Sequence, residues 1–314
     1  MSSATGGERM ATQDVTANDG ESASAGPRCN LAIRELEVAG AQGPLKARLY
    51  TGGAGGAGGR GGTGGAETGK RDGLLVFFHS GGFVRGDLDE SDMFLRHLAS
   101  CATHQVVLAT SYTLATERPF PAAAEDAHAV LVWAKKHKAK LGWSGKRLVV
   151  AGIEAGANLA AVVALMARDR GGPALAGQIL VMPMLDPGLS TCSMREIPHD
   201  AALVGVADTC AASYRGYLPN AADRSHPYAS PLQSSRLKNL PPALILSTED
   251  DPLRDEAEQY GAKLGACGVT TTLKRLAPAP LQEPSARNEC ACKAAALEEI
   301  GRFLLKLDEP GCPS

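Results

Sequence analysis

The chain has few aromatic residues and almost no net charge. Phe, Trp and Tyr make up 4% of its 314 residues, and the formal net charge is −2 at pH 7. So few aromatic side chains argue against a stacking surface for single-stranded nucleic acid. The lack of long charged runs argues against binding to nucleic acid or to a membrane surface. The hydrophobic fraction of 44% is ample for a core, so the composition fits a globular protein of one large or two small domains.

The eight cysteines form no recognisable framework. They are scattered, no Cys-x-x-Cys pair occurs, and residues 1–28 lack the apolar segment of an export signal or a membrane span. We therefore expect free thiols in a cytoplasmic protein. Cys290 and Cys292 could be half of a metal site, but no second pair or histidine lies at ligand spacing. We predict neither a metal nor a cofactor.

Two segments are too rich in small residues to pack into a core. Residues 1–28 predict a disordered N-terminal tail, and the Gly/Ala-rich stretch 51–73 predicts a flexible loop. That loop contains no phosphate-binding Gly-x-x-x-x-Gly-Lys-Ser/Thr motif. We expect one folded domain over residues 29–308, followed by a short tail at 309–314.

Apolar runs alternate with stretches of helical periodicity through the rest of the chain. The predicted strands are Leu31–Val38, Leu45–Tyr50, Leu74–Phe78, Val106–Tyr112, Leu148–Ala151, Ile179–Met182, Ala243–Ser247 and Thr270–Leu276. The predicted helices are Pro121–Leu141, Ala155–Arg170, Asp255–Ala266 and Cys292–Leu307. This alternation predicts an α/β protein with a mostly parallel sheet covered on both faces. Residues 187–232 interrupt it with short polar segments, which predicts a cap-like insertion.

The turn after the fifth predicted strand has the spacing of a nucleophile elbow but no nucleophile. In the Gly-x-Ser-x-Gly elbow of α/β-hydrolases, a strained turn between strand and helix presents the serine. Here Gly152 and Gly156 keep the two glycine positions, and Glu154 stands at the serine position. No other serine in the chain has glycine on both sides at this spacing.

The catalytic histidine is missing as well. The triad of this fold runs in the order serine, acid, histidine along the chain. The best candidate for the acid is Asp251, after the strand Ala243–Ser247, whereas the last of the seven histidines is His226. Hydrolysis by the Ser-His-Asp mechanism needs a base to move the proton, and none follows the acid.

Four blocks make the chain resemble the hormone-sensitive-lipase-like family of α/β-hydrolase-fold carboxylesterases. Residues 79–83 read H-S-G-G-F, similar to the oxyanion loop H-G-G-G-[FW], with Ser80 at the first glycine. Residues 112–123 read Y-T-L-A-T-E-R-P-F-P-A-A and resemble Y-R-L-A-P-E-x-P-[FY]-P-A-A. Residues 152–158 read G-I-E-A-G-A-N against G-D-S-A-G-G-N, and residues 251–256 match D-P-L-R-D-E.

The resemblance implies an oxyanion hole in which the backbone N–H groups of Gly81, Gly82 and Ala155 converge near residue 154. Glu154 could then place its carboxylate in the hole, leave the hole free for an external carboxylate, or point to solvent. We expect the first, because charge-assisted hydrogen bonds and the helix dipole favour an anion there. Asp251 would oppose it if the two carboxylates were close.

The remaining site residues have mostly structural interpretations. The family's histidine would fall at about Leu281, His79 would pack beneath the oxyanion loop, and Asp251 would cap a turn. Glu117 and Asp126 resemble carboxylates that hold loops around the site. The acidic run 249–251 together with Glu154 could also hold a hard cation, although we favour no metal.

These residues predict a pseudo-hydrolase rather than a working esterase. The leading hypothesis is a catalytically inactive α/β-hydrolase that binds a small organic ligand, for example a carboxylate or an ester, or has a regulatory role. One alternative is a carboxylic-ester hydrolase with weak or non-standard activity. Another is a structural partner of an active homologue, and the family resemblance also suggests a homodimer.

Overall fold

The computed structural model describes residues 31–52, 70–102, 104–195, 201–278 and 286–309. The predicted N-terminal tail, most of the Gly-rich stretch 51–73 and Leu281 lie outside these residues, as do residues 310–314. Within the described part, an eight-stranded sheet is flanked by helices, so the predicted α/β-hydrolase architecture is confirmed.

All eight predicted strands are present, with shifted ends. Their bounds are β1 Leu31–Ala39, β2 Pro44–Gly52, β3 Arg71–Phe78, β4 Gln105–Thr110, β5 Trp143–Ile153, β6 Gly177–Val181, β7 Ala243–Thr248 and β8 Thr271–Leu276. The largest difference is at β5, which begins five residues before the predicted Leu148 because Trp143 pairs with Arg71 across the sheet. The added residues at the start of β5 include polar ones, so a search for apolar runs does not predict them as part of the strand.

The order of strands in the sheet is β1-β2-β4-β3-β5-β6-β7-β8. The first two strands form an antiparallel hairpin, and β2 pairs antiparallel with β4. The other six strands, in the order β4, β3, β5, β6, β7 and β8 across the sheet, are parallel. Parallel strands of this kind are buried on both faces, and β3, β4, β5 and β7 contain runs of buried side chains. Their carboxyl ends meet at one edge of the sheet, where open α/β sheets place their sites.

The helices differ more from the prediction than the strands do. They are α1 Asp92–Cys101, α2 Ala122–Lys136, α3 Ala155–Asp169, α4 Cys192–Arg195, α5 Ala201–Tyr217, α6 Arg254–Ala266, α7 Ala286–Ala291 and α8 Ala294–Lys306. The sequence did not reveal α1. The predicted helix Cys292–Leu307 is wrong at its start, because Lys293 is extended and separates α7 from α8. Similarly, α2 ends before the turn that leads to Gly142, whose φ is 68°.

The sequence predicted short polar segments over residues 187–232, and this prediction is wrong in part. The insertion contains the 17-residue helix α5. Several side chains in the second half of α5 are buried, including Cys210, Ser213, Tyr214 and Tyr217. Two short 3₁₀ helices, Ala221–Ser225 and Pro231–Gln233, complete the segment. Among the described residues, no helix combines the length and apolar character needed to cross a membrane.

Candidate active site

The elbow has the strained geometry of its motif with a glutamate at the serine position. Glu154 lies between β5 and α3 with φ 57° and ψ −113°, a conformation that side-chain-bearing residues rarely adopt. A Cβ at Gly152 would lie 2.1 Å from the backbone carbon of Gly156, and a Cβ at Gly156 would lie 2.0 Å from the carbonyl oxygen of Phe78. Glycine is therefore required at both positions, which explains why the motif survives around Glu154.

Backbone bonds fix the position of Glu154 at the sheet edge. Its N–H donates to the carbonyl of Val181 at the end of β6 (3.0 Å). Its own carbonyl accepts from Asn158 in the first turn of α3 (3.1 Å) and from Met184 (3.2 Å). The side chain is buried, with the residue only 6% exposed, so the alternative in which Glu154 points to solvent is wrong.

The carboxylate of Glu154 occupies the oxyanion hole. Oε2 accepts hydrogen bonds from the backbone N–H groups of Gly81 (2.8 Å) and Gly82 (3.1 Å). Both glycines have positive φ, 113° and 61°, and this lets successive N–H groups point at one oxygen. Glu154 therefore has the orientation that we expect from the sequence, although no hydrogen bond from Ala155 to its carboxylate is found within the described residues.

Arg287 is the functional residue that sequence reasoning missed. It lies on the short helix α7, and its guanidinium lies between the two acidic residues of the site. Nη1 is 3.4 Å from Oε1 of Glu154, and Nη2 is 2.9 Å from Oδ1 of Asp251. A third contact joins Nε to Oδ2 of Asp251 (3.4 Å). Where an esterase has Ser, His and Asp, this chain has an ion cluster of Glu154, Arg287 and Asp251.

Asp251 has two roles: it stabilises a turn, and it carries one of the negative charges of the ion cluster. It follows β7, and its Oδ1 accepts the backbone N–H of Leu253 (2.9 Å), which caps the turn before α6 as predicted. The residue is 1% exposed. The expected repulsion between Asp251 and Glu154 is offset by Arg287, because a buried charge is tolerated when an opposite charge contacts it.

The two carboxylates also determine the protonation of Arg287. Burial lowers the pKa of Arg287, but the charges of Asp251 and Glu154 outweigh this effect and leave the pKa above its ordinary value. The guanidinium therefore stays protonated at neutral pH. It cannot accept a proton from a nucleophile as a catalytic histidine does.

The neighbour of Arg287 ties α7 to the oxyanion loop. The amide nitrogen of Asn288 donates to Oγ of Ser80 (2.9 Å), and its amide oxygen accepts from Oγ of Ser91 (2.8 Å). Asn288, Ser80 and Ser91 are all buried. Ser80, the departure from the first glycine of the family's loop, is thus the partner of a residue on α7.

The cap helix α5 closes the site from outside. A Cβ at Gly82 would lie 2.1 Å from Oγ of Ser213, so α5 packs directly on the oxyanion loop. The ring of Phe83 stacks on Tyr217 with centroids 3.8 Å apart. Cys210 is buried beside the cluster; burial raises the pKa of its thiol, and Glu154 and Asp251 add to this effect while Arg287 opposes it.

His79 has the structural position that the resemblance implies. It is 1% exposed, its ring stacks on Tyr112 with centroids 4.2 Å apart, and its Nδ1 lies 2.7 Å from the carbonyl of Ser80. Burial lowers the pKa of the imidazole. Since the carbonyl can only accept, Nδ1 carries the proton and Nε2 has a free lone pair.

For the other predicted residues, no hydrogen bond or ion pair with the cluster of Glu154, Arg287 and Asp251 is found in the described part of the chain. Asp126 accepts the backbone N–H of Ala41 (2.8 Å) and of Thr113 (2.9 Å), so it holds loops as expected. For Glu117 no side-chain hydrogen bond is found among the described residues. The described cysteines, Cys290 and Cys292 among them, are free. No metal-binding group of His, Cys, Asp and Glu is found in the described part of the chain.

The position predicted for the missing histidine, near Leu281, lies outside the described residues. The structure shows instead that Arg287 reaches the place between nucleophile and acid. Two buried carboxylates at Glu154 and Asp251 are stabilised by a cation between them, but no local sequence pattern marks Arg287 as that cation.

Comparison with known proteins agrees with the fold and the motifs. The family profile of the alpha/beta hydrolase fold matches residues 75–280. Carboxylic ester hydrolase LipN of Mycobacterium tuberculosis is 37% identical over 259 residues, covering 80% of this chain and 64% of LipN. Esterase LipI of the same organism is 36% identical over 241 residues, covering 76% of this chain and 71% of LipI. The chain therefore spans about two thirds of the length of these relatives.

Solved structures give the same result. A hyperthermophilic esterase from the archaeon Pyrobaculum calidifontis superposes with a TM-score of 0.74 at 33% identity, covering 88% of this chain and 85% of that one. The thermostable carboxylesterase EstE1, cloned from a metagenomic library, has a TM-score of 0.74 at 29% identity, with 89% and 90% covered. With its elbow, oxyanion loop and acid in place, the chain belongs to the hormone-sensitive-lipase-like family of α/β-hydrolase-fold carboxylesterases.

Proposed function

We propose that this protein is a non-hydrolytic member of its family that acts by binding a small molecule or a protein partner. The observation that carries the proposal is the carboxylate of Glu154 bonded to the N–H groups of Gly81 and Gly82. In ester hydrolysis this is where the oxyanion of the tetrahedral intermediate is stabilised. A substrate carbonyl would first have to displace a buried anion that also contacts Arg287.

The contacts of Arg287 give independent support. Hydrolysis by covalent catalysis needs a group that takes the proton of the nucleophile and later activates water. Arg287 contacts both Glu154 and Asp251, and its pKa is raised above the ordinary value of arginine. A permanently protonated guanidinium can hold charges in place, but it cannot serve as general base.

A hydrolysis assay tests the proposal directly. We expect no turnover of short-chain p-nitrophenyl esters above that of the matched variant Glu154→Ala, and no labelling of any serine by a fluorophosphonate. Loss of the triad leaves at most roughly 10³–10⁴-fold acceleration over water from binding and the oxyanion hole. Stoichiometric labelling of a serine, or turnover that disappears in Glu154→Ala, would contradict the proposal.

The second candidate is an ester hydrolase with weak or non-standard activity, and the comparisons favour it. The relatives LipN and LipI carry the names carboxylic ester hydrolase and esterase. Glu154 would then have to leave the oxyanion hole during turnover. The same assay separates the two candidates, because only this one predicts activity that depends on Glu154.

The ligand class at this site stays a prediction. An external carboxylate or ester in the oxyanion hole would compete with the carboxylate of Glu154, so binding there should be stronger in Glu154→Ala than in the natural protein. A thermal-shift titration with short-chain carboxylates checks this difference. Co-purification of an active homologue would instead favour the role of structural partner.

A further inference from the structure

The turn from α2 to β5 concentrates positive charge on one surface. Residues 135–147 contain six lysine and arginine residues and no aspartate or glutamate, whereas the whole chain has a formal net charge of −2. Four of the six lie close together in the chain and are exposed, and we call them the lysine patch: Lys135, Lys136, Lys138 and Lys140. The patch precedes β5, so it lies at the opposite end of the sheet from the candidate site.

The lysine patch has no acidic partner in the part of the chain that the structure describes. The ion pairs of this turn are made by the other two cations, Lys146 with Asp72 (2.8 Å) and Arg147 with Asp308 (2.6 Å). For the four lysines of the patch, no ion pair is found among the described residues. Like charges at close range repel one another, so an anionic partner at this surface would relieve the repulsion.

The helix dipole accounts for only part of this charge. Lys135 and Lys136 stand in the last turn of α2, where a cation interacts favourably with the negative end of the helix. Lys138 and Lys140 come after the helix has ended, and the effect of the dipole falls off within the last turn. Two of the four charges are therefore not explained by the helix.

Aromatic rings hold the two ends of the patch. The ammonium of Lys135 donates to the carbonyl of Gly145 (3.0 Å) and lies 5.3 Å from the ring centroid of Trp143. The ammonium of Lys140 lies 5.4 Å from the ring centroid of Trp133. A ring attracts a cation without neutralising its charge, so the patch still presents four positive charges.

The first strand begins beside the lysine patch. Arg34 of β1 donates from Nη2 to the carbonyl of Lys140 (2.8 Å). Leu31, where β1 begins, pairs with Gly52, whose carbonyl accepts from Nη2 of Arg71 at the start of β3 (2.6 Å). The start of β1 and the patch therefore lie at the same end of the sheet, and residues 1–30 join the fold next to the patch.

Residues 14–21 carry the complementary charge. This stretch, which we call the acidic segment, contains Asp14, Asp19 and Glu21 and no basic residue. A chain of ten residues, the separation between Glu21 and Leu31, can span up to about 33–36 Å. The acidic segment is therefore within reach of the lysine patch of its own chain.

A segment with carboxylates suits the patch better than a membrane does. Amphipathic surfaces that bind membranes combine basic side chains with apolar ones that enter the interface. The exposed large hydrophobic side chains of the described residues are Met93, Leu273 and Leu305, and none of them belongs to residues 135–147. Charge is thus the property by which this surface selects its partner.

We propose that the lysine patch is the docking surface for the acidic segment of the same chain, with ion pairs from Asp14, Asp19 and Glu21. A lysine ammonium is a point charge on a flexible stem, so it pairs with carboxylates without a fixed geometry. Exposed ion pairs are individually weak, but attachment through β1 makes the contact intramolecular and raises the effective concentration of the segment to the order of millimolar. The contact is independent of the chemistry at Glu154.

Acetylation of the full-length protein by acetic anhydride, followed for each lysine by mass spectrometry, tests the proposal. The docked segment should hinder the reagent, so the triple variant Asp14→Asn, Asp19→Asn, Glu21→Gln should react faster at the lysine patch. We expect an increase of about threefold, the size that weak surface ion pairs can produce. The increase should vanish in 1 M NaCl, where the Debye length is about 3 Å.

Two controls separate docking from a general effect of charge. Lys293 is exposed and precedes α8, and its acetylation rate should be the same in the natural protein and the triple variant. Glu8→Gln neutralises an acid outside the acidic segment and should leave the acetylation of the lysine patch unchanged.

Carbodiimide crosslinking, which joins carboxylates to lysines without a spacer, gives a second measurement. In a mixture of isotope-labelled and unlabelled protein, links from the acidic segment to the lysine patch should join residues of one isotopic form. Links between the two forms would overturn the proposal in favour of a second copy as the partner. Equal acetylation of the patch in the natural protein and the triple variant, or no such links, would also overturn it. So would vesicles of phosphatidylserine that bind both proteins with equal affinity, because the patch would then be uncovered.

Discussion

At the scale of single residues, Glu154 combines a strained backbone with well-satisfied side-chain bonds. Its φ of 57° is unfavourable for a residue with a side chain, yet Oε2 accepts two backbone N–H groups. Charge-assisted bonds of this kind are stronger than neutral ones. We infer that they hold the side chain in the position that a substrate oxygen would take in an active relative.

We predict that Glu154→Gln keeps the fold but lowers stability by about 1–3 kcal/mol, because a neutral amide accepts these bonds more weakly. Thermal and urea unfolding at pH 7 measure the effect. Glu154→Ala should lose more, and acetate, which restores the missing carboxylate group, should recover part of the loss in a saturable way. A melting temperature for Glu154→Gln equal to or above that of the natural protein would contradict the inference.

The second prediction at this scale concerns Arg287. Arg287→Met leaves two buried carboxylates without their cation, and breaking a buried pair in this way costs about 3–5 kcal/mol. Adding Glu154→Gln to Arg287→Met should cost less than the sum of the single changes, because one of the stranded charges is removed. A double-mutant cycle by urea unfolding measures this coupling, and strictly additive effects would show that the two side chains do not interact.

The orientation of Glu154 could be predicted from sequence, whereas Arg287 could not. The elbow and the oxyanion loop are short local motifs whose glycines fix the backbone, so the geometry around residue 154 follows from spacing. Arg287 reaches the site on a long side chain from α7, 36 residues after Asp251. No local pattern marks such a residue, because its role depends on two partners that are distant in the chain.

At the scale of secondary-structure elements, the strands are better predicted than the helices. The central strands are apolar on both faces, so their sequences stand out from the surrounding turns. α5 was hidden because its apolar residues are interleaved with small and polar ones, and its buried side chains contact the oxyanion loop rather than the sheet. Tertiary packing of this kind leaves only a weak periodic signal.

The third prediction belongs to α2 and concerns its half-buried histidine, His128. Burial, followed by Arg170, lowers the pKa of His128 below 6.5, and its Nε2 has no hydrogen-bond partner in the described structure. As pH falls through 6.5, His128 binds a proton in the unfolded chain but remains neutral in the folded protein. The free energy of unfolding therefore decreases. His128→Leu should therefore flatten the loss of stability between pH 7.5 and pH 5.5.

Urea unfolding across this pH range checks the prediction. The stability gained by His128→Leu should be larger at pH 5.5 than at pH 7.5, because only the natural protein has this linked protonation. His79 shares the direction of the shift and remains in the variant, so some dependence on pH should persist. An identical slope in both proteins would show that His128 does not contribute.

At the scale of the whole molecule, the family scaffold is intact and carries a cluster of Glu154, Arg287 and Asp251 at its candidate site. The sheet order, the elbow, the oxyanion loop and the acid occupy the places that the family motifs imply. The cytoplasmic location and the homodimer stay predictions. The sequence was sufficient for the fold and for the orientation of Glu154 because the motifs are local and specific, and insufficient for Arg287 because that residue belongs to no motif.

The fourth prediction concerns repair of the whole catalytic machinery. Glu154→Ser alone should not restore hydrolysis of p-nitrophenyl acetate, because Arg287 stays protonated beside the new serine. Its activity should equal that of Glu154→Ala in the same assay. Strong activity in Glu154→Ser alone would mean that another group, such as His79 or His226, can act as base.

The pairing of Glu154, Arg287 and Asp251 also has a consequence for the order in which its members can be changed. Changing Glu154 to serine leaves Arg287 with one carboxylate instead of two, and changing Arg287 to histidine leaves the two acids facing each other across a smaller side chain. We expect each single substitution to lower stability without producing hydrolysis. The three side chains therefore form an epistatic set, in which the effect of changing one depends on the other two.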